Sequence, residues 1–320
     1  YLMISNRAKK VDASGIRKVF NLASKLKNPV NLSIGQPDFD IPEEHKRKLI
    51  KAVEDGKNKY TLTQGIPELR EEIKDYLKHR KIEAEDVFIT SGVSGGILLS
   101  LMVLTDPGDE IIITDPYFVM YKHLANLLGL KINYVDTYPD FKLTAQRLKD
   151  RITEKTKAVF INSPSNPTGL VLNENELKDI ADVLKEFSAV AVFDEIYSEF
   201  DYEKKHGCLL NYYEKTVLLN GFSKSHAMTG WRIGYAAGPK EVIDEMIKIQ
   251  QYTFVCSPSI AQYGALGAIN SFSENKLEEY KKKRDLAYEL LKDNFQVEKP
   301  DGAFYQLRKL PTLSIKIKDN

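Results

Sequence analysis

The sequence predicts an α/β fold, in which a large domain holds a seven-stranded, mostly parallel sheet between helices. A smaller α+β domain built from both chain ends completes the prediction. The 320 residues exceed what a single hydrophobic core usually spans. Short β-branched runs alternate with longer amphipathic stretches. Because the strand-like runs are apolar and separated by helical patterns, we expect crossover connections and a sheet buried on both faces.

Seven runs predict the strands of this sheet. In chain order they are residues 86–90, 110–114, 131–135, 158–162, 189–193, 216–220 and 233–237. Helical patterns lie between most of them. In residues 173–186, four apolar side chains fall on one face of a helix, namely Leu177, Ile180, Ala181 and Leu184.

The two chain ends have a different pattern. Residues 12–26 and 239–295 are mostly helical in pattern, with few strands. We therefore expect residues 1–28 to form the N-terminal segment of the small domain, 29–238 the large domain, and 239–320 the remainder of the small domain.

Composition excludes several classes of function. The chain has 46 Lys and Arg against 45 Asp and Glu, so its net charge of +1 gives no overall attraction to nucleic acid or an acidic membrane. No apolar run reaches the roughly 18 residues of a membrane span, and the first ten residues lack the apolar core of a signal peptide. The two cysteines and five histidines show no disulfide or metal pattern. We expect a cytoplasmic protein without a metal, a nucleic-acid partner or a membrane partner.

Polar residues follow three of the predicted strands, at the point where each ends. Asn166 follows the fourth strand, and Asp194 and Tyr197 follow the fifth. Lys224 follows the sixth, with Arg232 eight residues beyond it. Since ligands of open α/β sheets bind beyond the carboxyl ends of the strands, these side chains predict one site at that edge.

A family resemblance enters at these residues. Residues 221–234 (GFSKSHAMTGWRIG) resemble the cofactor-lysine motif of the class I/II aminotransferases of fold type I, which use pyridoxal 5′-phosphate (PLP). Residues 166–169 (NPTG) and 194–197 (DEIY) resemble two other signatures of that family, in its order and at its spacing. Residues 32–39 (LSIGQPDF) resemble its N-terminal segment. The resemblance implies a homodimeric aspartate- or aromatic-type aminotransferase. Such an enzyme moves an amino group from an L-amino acid to a 2-oxo acid, such as 2-oxoglutarate, by a ping-pong mechanism.

The resemblance assigns the central chemical roles. Lys224 would bind PLP covalently as a Schiff base and, once released by the substrate, move the substrate's Cα proton. Asp194 would keep the cofactor's ring nitrogen protonated by charge pairing. Glu195 is the weaker candidate for that role, because alternation along an extended chain points it away. Asn166 and Tyr197 would hydrogen-bond the phenolate oxygen of PLP.

The phosphate of PLP needs cationic and backbone donors. The resemblance gives Arg232 as a bidentate donor and Ser223 as a hydroxyl donor. Gly92, Val93 and Ser94 lie in a turn that opens a helix, where free backbone amides favour an anion.

Four further residues take places that the family fills. Phe118 would stack on the pyridine ring, and the neighbouring Tyr117 is the other aromatic residue that could be mistaken for this position. Tyr60 would reach the phosphate bound by the partner subunit, so that the site is complete only in a dimer. Gly35 and Ile16, together with Asn166, would contact the substrate.

The resemblance fails near the C-terminus. The family continues past Tyr305 to an arginine that binds the substrate carboxylate, and no residue here matches its motif, so we do not assign Arg308 to that role. A chain truly ending at Asn320 is expected to bind PLP but to transaminate poorly, because it lacks that charged bidentate contact.

Three alternatives remain open. A PLP-dependent carbon–sulfur lyase would use nearly the same residues. A non-catalytic PLP-sensing domain is disfavoured because no DNA-binding pattern precedes residue 12. A nicotinamide enzyme is disfavoured because a GxGxxG pattern is lacking. Among aminotransferases, the absence of a lysine at Ser94 favours aromatic or other neutral amino donors. We interpret His226 as structural, and Met120, Tyr121 and Tyr252 as core or pocket lining.

Overall fold

A seven-stranded sheet forms the centre of the molecule. The computed structural model describes residues 3–12, 15, 25–28 and 35–309. The strands are β1 (Asp86–Ser91), β2 (Glu110–Asp115), β3 (Lys131–Asp136), β4 (Thr156–Asn162), β5 (Val190–Asp194), β6 (Thr216–Gly221) and β7 (Ile233–Gly238). All seven predicted strands are confirmed, and no boundary moves by more than two residues.

The strand order explains why the sheet is mostly parallel. The strands lie side by side in the order β1-β7-β6-β5-β4-β2-β3. β7 is antiparallel to both of its neighbours, β1 and β6, whereas the remaining pairs are parallel. The predicted α/β class is therefore confirmed. The carboxyl ends of β4, β5 and β6 lie next to one another, which brings the segments that follow them together.

Helices cover both faces of the sheet. In chain order they are α1 (Asn6–Lys9), α2 (Glu43–Glu54), α3 (Pro67–His79), α4 (Gly92–Leu104), α5 (Val119–Leu128), α6 (Ala145–Lys149), α7 (Glu174–Phe187), α8 (Lys240–Thr253), α9 (Ser259–Gly264) and α10 (Glu274–Leu291). Short 3₁₀ turns lie at Leu209–Asn211 and Ala268–Asn270.

The two faces have separate cores. On one face, α3 and α7 bury apolar side chains such as Ile73 and Ile180 against the sheet. On the other face, α4, α5 and α8 contribute Ile97, Tyr121 and Ile243 to a second cluster. Since each strand alternates its side chains between the faces, neighbouring residues at a strand end enter different environments.

The helix predicted over residues 173–186 illustrates how the sequence sets a boundary. α7 begins after Asn173, whose side chain accepts hydrogen bonds from the backbone amides of Asn175 and Glu176. The Glu176 side chain accepts in return from the Asn173 amide, which completes a capping box. The predicted apolar face, Leu177 included, is buried.

The region predicted to be mostly helical, residues 239–295, contains α8, α9 and α10. Beyond α10, the short strands β8 (Gln296–Val297) and β9 (Arg308–Lys309) pair antiparallel. None of the helices within the described ranges combines the length and apolar composition that crossing a bilayer requires.

Candidate active site

A cleft of about 650 Å³ opens at the carboxyl edge of the sheet. Its volume lies within the range typical of small-molecule sites. Ten of the residues predicted from the sequence line it, namely Gly35, Val93, Ser94, Phe118, Asn166, Asp194, Tyr197, Ser223, Lys224 and Arg232. Segments that are far apart in the chain therefore converge at one place.

Lys224 lies in the wall of this cleft. Its Nζ donates a hydrogen bond to the carbonyl oxygen of Gly35 at 2.6 Å. Burial lowers the pKa of the Lys224 amine to about 8; the charge of Arg232 also lowers it, while that of Asp194 opposes the shift. The unprotonated, nucleophilic form of the amine is therefore far more populated near neutral pH than in an ordinary lysine, at roughly a tenth of the molecules at pH 7.

Asp194 is the buried carboxylate of the cleft, only 3% exposed at the end of β5. Its Oδ2 accepts a hydrogen bond from the Tyr121 hydroxyl at 2.7 Å, and its Oδ1 accepts one from the Ile196 amide at 3.2 Å. Burial raises the pKa of Asp194 to about 6, even though these bonds and Lys224 favour the charged form. A cationic ligand group placed beside it would relieve this cost of burial.

Tyr197 joins two walls of the cleft. Its hydroxyl and that of Tyr305 are hydrogen-bonded at 2.6 Å, and the Asn166 side chain lines the same cleft. Burial raises the pKa of the Tyr197 hydroxyl, so this group is a neutral hydrogen-bonding group at physiological pH. Gly35 lies against Tyr305, because a Cβ at Gly35 would collide with the Tyr305 hydroxyl.

Arg232 faces the start of α4. Its Nη2 donates to Ser94 Oγ at 2.7 Å, and its Nη1 donates to the Thr229 carbonyl at 3.0 Å. Gly92, the first residue of α4, has a φ of +68°, and a Cβ there would lie 2.6 Å from Nη2. Only glycine both adopts this backbone conformation without strain and leaves room for the guanidinium. The helix N-terminus, the hydroxyl and the guanidinium together form an anion-binding corner.

Two predicted residues with described positions are not part of the cleft lining, namely Gly92, which lies beside Arg232, and Tyr60. The Tyr60 side chain is 83% exposed and borders a separate depression of about 290 Å³ that Tyr263 also lines. Ile16 lies outside the described residues.

Three residues of the site were not singled out from the sequence. Tyr121, interpreted only as core or lining, donates a hydrogen bond to Asp194. The available signal was its position in the first turn of α5, three residues after Phe118. Tyr305 lies in the last segment that resembles the family, but its sequence context carried no signal for a contact with Tyr197. Asn162 ends β4, and its side chain links the Asp194 carbonyl to the Asn166 amide at 2.8 and 2.6 Å.

Glu195 points to the opposite face of the sheet, as strand alternation predicts. Its carboxylate is fully buried and accepts two hydrogen bonds from Arg80, at 2.6 and 3.2 Å. His206 Nε2 and Asn220 Nδ2 each lie 3.0 Å from it. Burial alone would favour the neutral acid, but Arg80 and His206 lower the pKa of Glu195 to about 2. This charged network therefore fastens the strand end that carries Asp194.

His226 is buried away from the cleft, as interpreted from the sequence. Its ring nitrogens contact the hydroxyls of Ser225 and Ser271 at 2.8 and 3.3 Å. Burial lowers the pKa of His226 to about 4, so it is neutral at physiological pH. Among the residues described, no cluster of His, Cys, Asp and Glu has the arrangement of a metal site.

Comparisons with known proteins show which family the chain belongs to. A profile of the family described as aminotransferase class I and II matches residues 27–318. A probable aspartate aminotransferase of Methanocaldococcus jannaschii is 42% identical, over 95% of this chain and 84% of that protein. A probable N-acetyl-LL-diaminopimelate aminotransferase of Bacillus subtilis is 39% identical, over 95% of this chain and 80% of that protein. The structure of the Thermus thermophilus aspartate aminotransferase with maleate superimposes with a TM-score of 0.92 at 35% identity, covering 96% of this chain and 85% of that one.

The Glu195 network generates a stability prediction. Replacing Glu195 by Gln leaves the guanidinium of Arg80 without its buried counter-charge, so we expect the free energy of unfolding at pH 7 to fall by about 3 kcal/mol. The folded-state pKa of about 2 lies below the ordinary value of 4.5. The stabilisation is therefore complete above about pH 4.5 and is lost as the pH falls towards 2. The difference between wild type and variant should shrink over that interval.

Urea unfolding at pH 7, 4 and 3 measures this difference, because the last two values lie within the interval in which it is lost. Glu186→Gln is the control, because Glu186 forms an exposed pair with Lys149 that is worth at most about 1 kcal/mol. A Glu195→Gln effect no larger than that of the control, or one independent of pH, would contradict the assignment.

Proposed function

Because the chain belongs to the class I and II aminotransferase family, a family of PLP-dependent enzymes, we propose that it moves an amino group from an L-amino acid to a 2-oxo acid in two half-reactions. The observation that carries this proposal is the amine of Lys224, largely buried with its pKa lowered to about 8, in one cleft with the carboxylate of Asp194. In this ping-pong scheme Lys224 and Asp194 would hold PLP, which would supply the carrier for the amino group between the two substrates.

The residues of the cleft fit PLP. Gly92 leaves space where a side chain would displace Arg232, which matches a cradle for phosphate. At the other end, Asp194 is a buried carboxylate whose raised pKa a ring cation would restore towards its usual value. When bound, PLP supplies an electron sink for the electron pair left on the substrate Cα after its proton departs.

Lys224 has two roles in this proposal. Its amine anchors PLP covalently, which requires the unprotonated form that burial favours. After the substrate amine displaces it, Lys224 takes the proton from the substrate Cα and delivers it to the C4′ carbon. The Gly35 carbonyl, 2.6 Å from Nζ, holds the free amine in the cleft.

Asp194 holds the proton on the pyridine nitrogen. The Tyr121 hydroxyl fixes the orientation of its carboxylate. The Asn166 side chain and the Tyr197 hydroxyl would hold the phenolate oxygen of PLP, and Phe118 would stack on its ring. All three side chains line the same cleft as Asp194, which supports this assignment.

The anion-binding corner takes the phosphate. Arg232 and Ser94 are already bonded to each other there. Ser223 and the backbone of Gly92 and Val93 complete the proposed donor set. Gly35, Asn166 and Ile16 are proposed to contact the amino acid substrate.

The charges of the cleft favour a neutral amino donor. Asp194, Lys224 and Arg232 are assigned to the cofactor, and no other lysine or arginine lines the cleft within the described residues. Asp12 lies at its wall, where it would repel an acidic side chain. The relatives named above are called aminotransferases of aspartate and of N-acetyl-LL-diaminopimelate. On the basis of the charges in the cleft, we propose aromatic or other neutral donors. Aspartate, which appears in the name of the first relative, is the competing donor to test.

A half-reaction screen tests the activity and its donor. Holoenzyme is mixed with one amino acid at a time, and the visible band of PLP is followed as it converts to the pyridoxamine form. We expect conversion with L-tyrosine or L-phenylalanine to be faster than with L-aspartate. Faster conversion with aspartate would refute the donor assignment. Pyruvate release from L-cysteine without conversion to the pyridoxamine form would indicate a carbon–sulfur lyase instead.

Replacing Lys224 by Ala tests the anchor. Borohydride reduction of the wild-type holoenzyme should fix PLP on the peptide that contains Lys224, and mass spectrometry of the variant should find no fixed PLP. Lys178→Ala, on the exposed face of α7, is the matched control and should label like wild type. Fixed PLP at another lysine of the wild-type enzyme would show that the anchor is misassigned.

Tyr60 is proposed to serve the site of a second copy of the chain. Its exposure, together with that of nearby Leu62, supports a contact with another protomer. Lys224→Ala and Tyr60→Phe chains are co-refolded and assayed together. If Tyr60 acts across the dimer, each hybrid has one intact site. Activity should then exceed the sum of the separate variants and approach about a quarter of wild type under random pairing.

If Tyr60 instead acts within its own subunit, the hybrid has no intact site, and mixing gives no gain.

A cytoplasmic location and the domain division at residues 28 and 238 stay predictions.

A further inference from the structure

The segment that carries Gly35 is fastened to α10 through Asp38. The Tyr280 hydroxyl donates to Asp38 Oδ1 at 2.7 Å and accepts from the Asp38 backbone amide at 3.0 Å. Lys283 Nζ donates to Oδ2 at 2.6 Å. The Lys283 and Asp38 side chains are 43% and 57% exposed, so their ion pair contributes little. The two hydrogen bonds of Tyr280 therefore dominate the attachment.

The neighbouring residue adds apolar contacts to the same helix. The ring of Phe39 packs edge to face on Tyr280, with 6.0 Å between centroids. Lys276 Nζ lies 4.9 Å from the centroid of the Phe39 ring. Side chain, backbone and ring contacts thus hold two consecutive residues on α10, which restricts how the segment can move.

α10 also holds the opposite wall of the cleft. Arg284 Nη1 donates to the Pro300 carbonyl at 3.0 Å, and the Tyr280 ring packs on Phe304 at 5.6 Å. The next residue, Tyr305, contacts both Gly35 and Tyr197. One helix therefore sets the positions of the two segments that meet over Lys224.

Only a short stretch of chain connects this attachment to the residue that contacts the reacting amine. Only Gln36 and Pro37 separate Asp38 from Gly35, and the ring of Pro37 removes the freedom of one backbone dihedral. The Gly35 carbonyl accepts the hydrogen bond from Lys224 Nζ. A displacement of Asp38 would therefore alter the direction and distance of that acceptor.

We propose that Asp38 and Tyr280 form a clamp that positions the Gly35 carbonyl to hold the Lys224 amine after the amine leaves the cofactor. The clamp thereby sets the rate at which Lys224 moves the proton from the substrate Cα. Asp38 and Tyr280 are positioning residues, since neither lines the cleft. The inference rests on the proposed function of Lys224. It concerns only the step in which the amine is free, so covalent attachment of PLP does not depend on the clamp.

Two variants of the holoenzyme test the clamp. Tyr280→Phe removes both hydrogen bonds and keeps the ring contacts, and Asp38→Ala removes the acceptor from a largely exposed side chain. We expect each to lower kcat about threefold to fivefold, which is within the net contribution of a single ordinary hydrogen bond. With substrate deuterated at Cα, the kinetic isotope effect on kcat should rise, because proton transfer becomes more rate-limiting. The amount of PLP that borohydride fixes on Lys224 should remain at the wild-type level.

Matched controls separate positioning from a general loss of structure. Tyr288→Phe lies on the same helix, where the ring contacts Lys299, and Asp40→Ala lies on the same segment as Asp38. Both should retain wild-type kcat and isotope effect. If Tyr280→Phe fails to fold, Asp38→Ala carries the test.

The clamp is overturned if both variants match their controls in kcat, or if kcat falls while the isotope effect stays at its wild-type value. It is also overturned if the loss of kcat follows a loss of fixed PLP. Failure of the proposed function is distinguishable, since the wild-type holoenzyme would then carry no fixed PLP on Lys224.

Discussion

Burial of a lysine amine beside a buried carboxylate is the constraint on which the rest of the structure depends. Removing Lys224 from water lowers the pKa of its amine, whereas removing Asp194 from water raises the pKa of its carboxyl group. Both shifts disfavour the charged forms, and the charge on each group partly offsets the pKa shift of the other. Such a pair is costly to bury and is well matched to a ligand with an aldehyde and a basic ring nitrogen.

The sheet separates the carboxylate of the cleft from the carboxylate that stabilises the end of the strand. Asp194 and Glu195 are adjacent, yet alternation sends one carboxylate into the cleft with Tyr121 and the other into the network of Arg80 and His206. The first carboxylate has a raised pKa and the second a lowered one. Two identical functional groups thus serve opposite purposes because they face different layers.

The sequence predicted the sheet and most of the cleft because both depend on local patterns. β-branched runs marked every strand, and short motifs at the strand ends marked Asn166, Asp194 and Lys224. Contacts between distant segments carried no such pattern. Tyr121 and Asp194 are 73 positions apart, and Asp38 and Tyr280 are 242 apart. Nothing in either local sequence specifies the partner, so only the folded chain reveals it.

The distance between Asp38 and Tyr280 along the chain has a consequence for biosynthesis. During translation, β1 to β7 leave the ribosome before α10 does, and domains generally fold from the N-terminal side first. The nascent polypeptide can therefore assemble the edge that bears Lys224 while Gly35 still lacks its support. The residues around the amine can take their final positions only after residues 280–305 emerge, so the pocket matures later than the sheet that carries it.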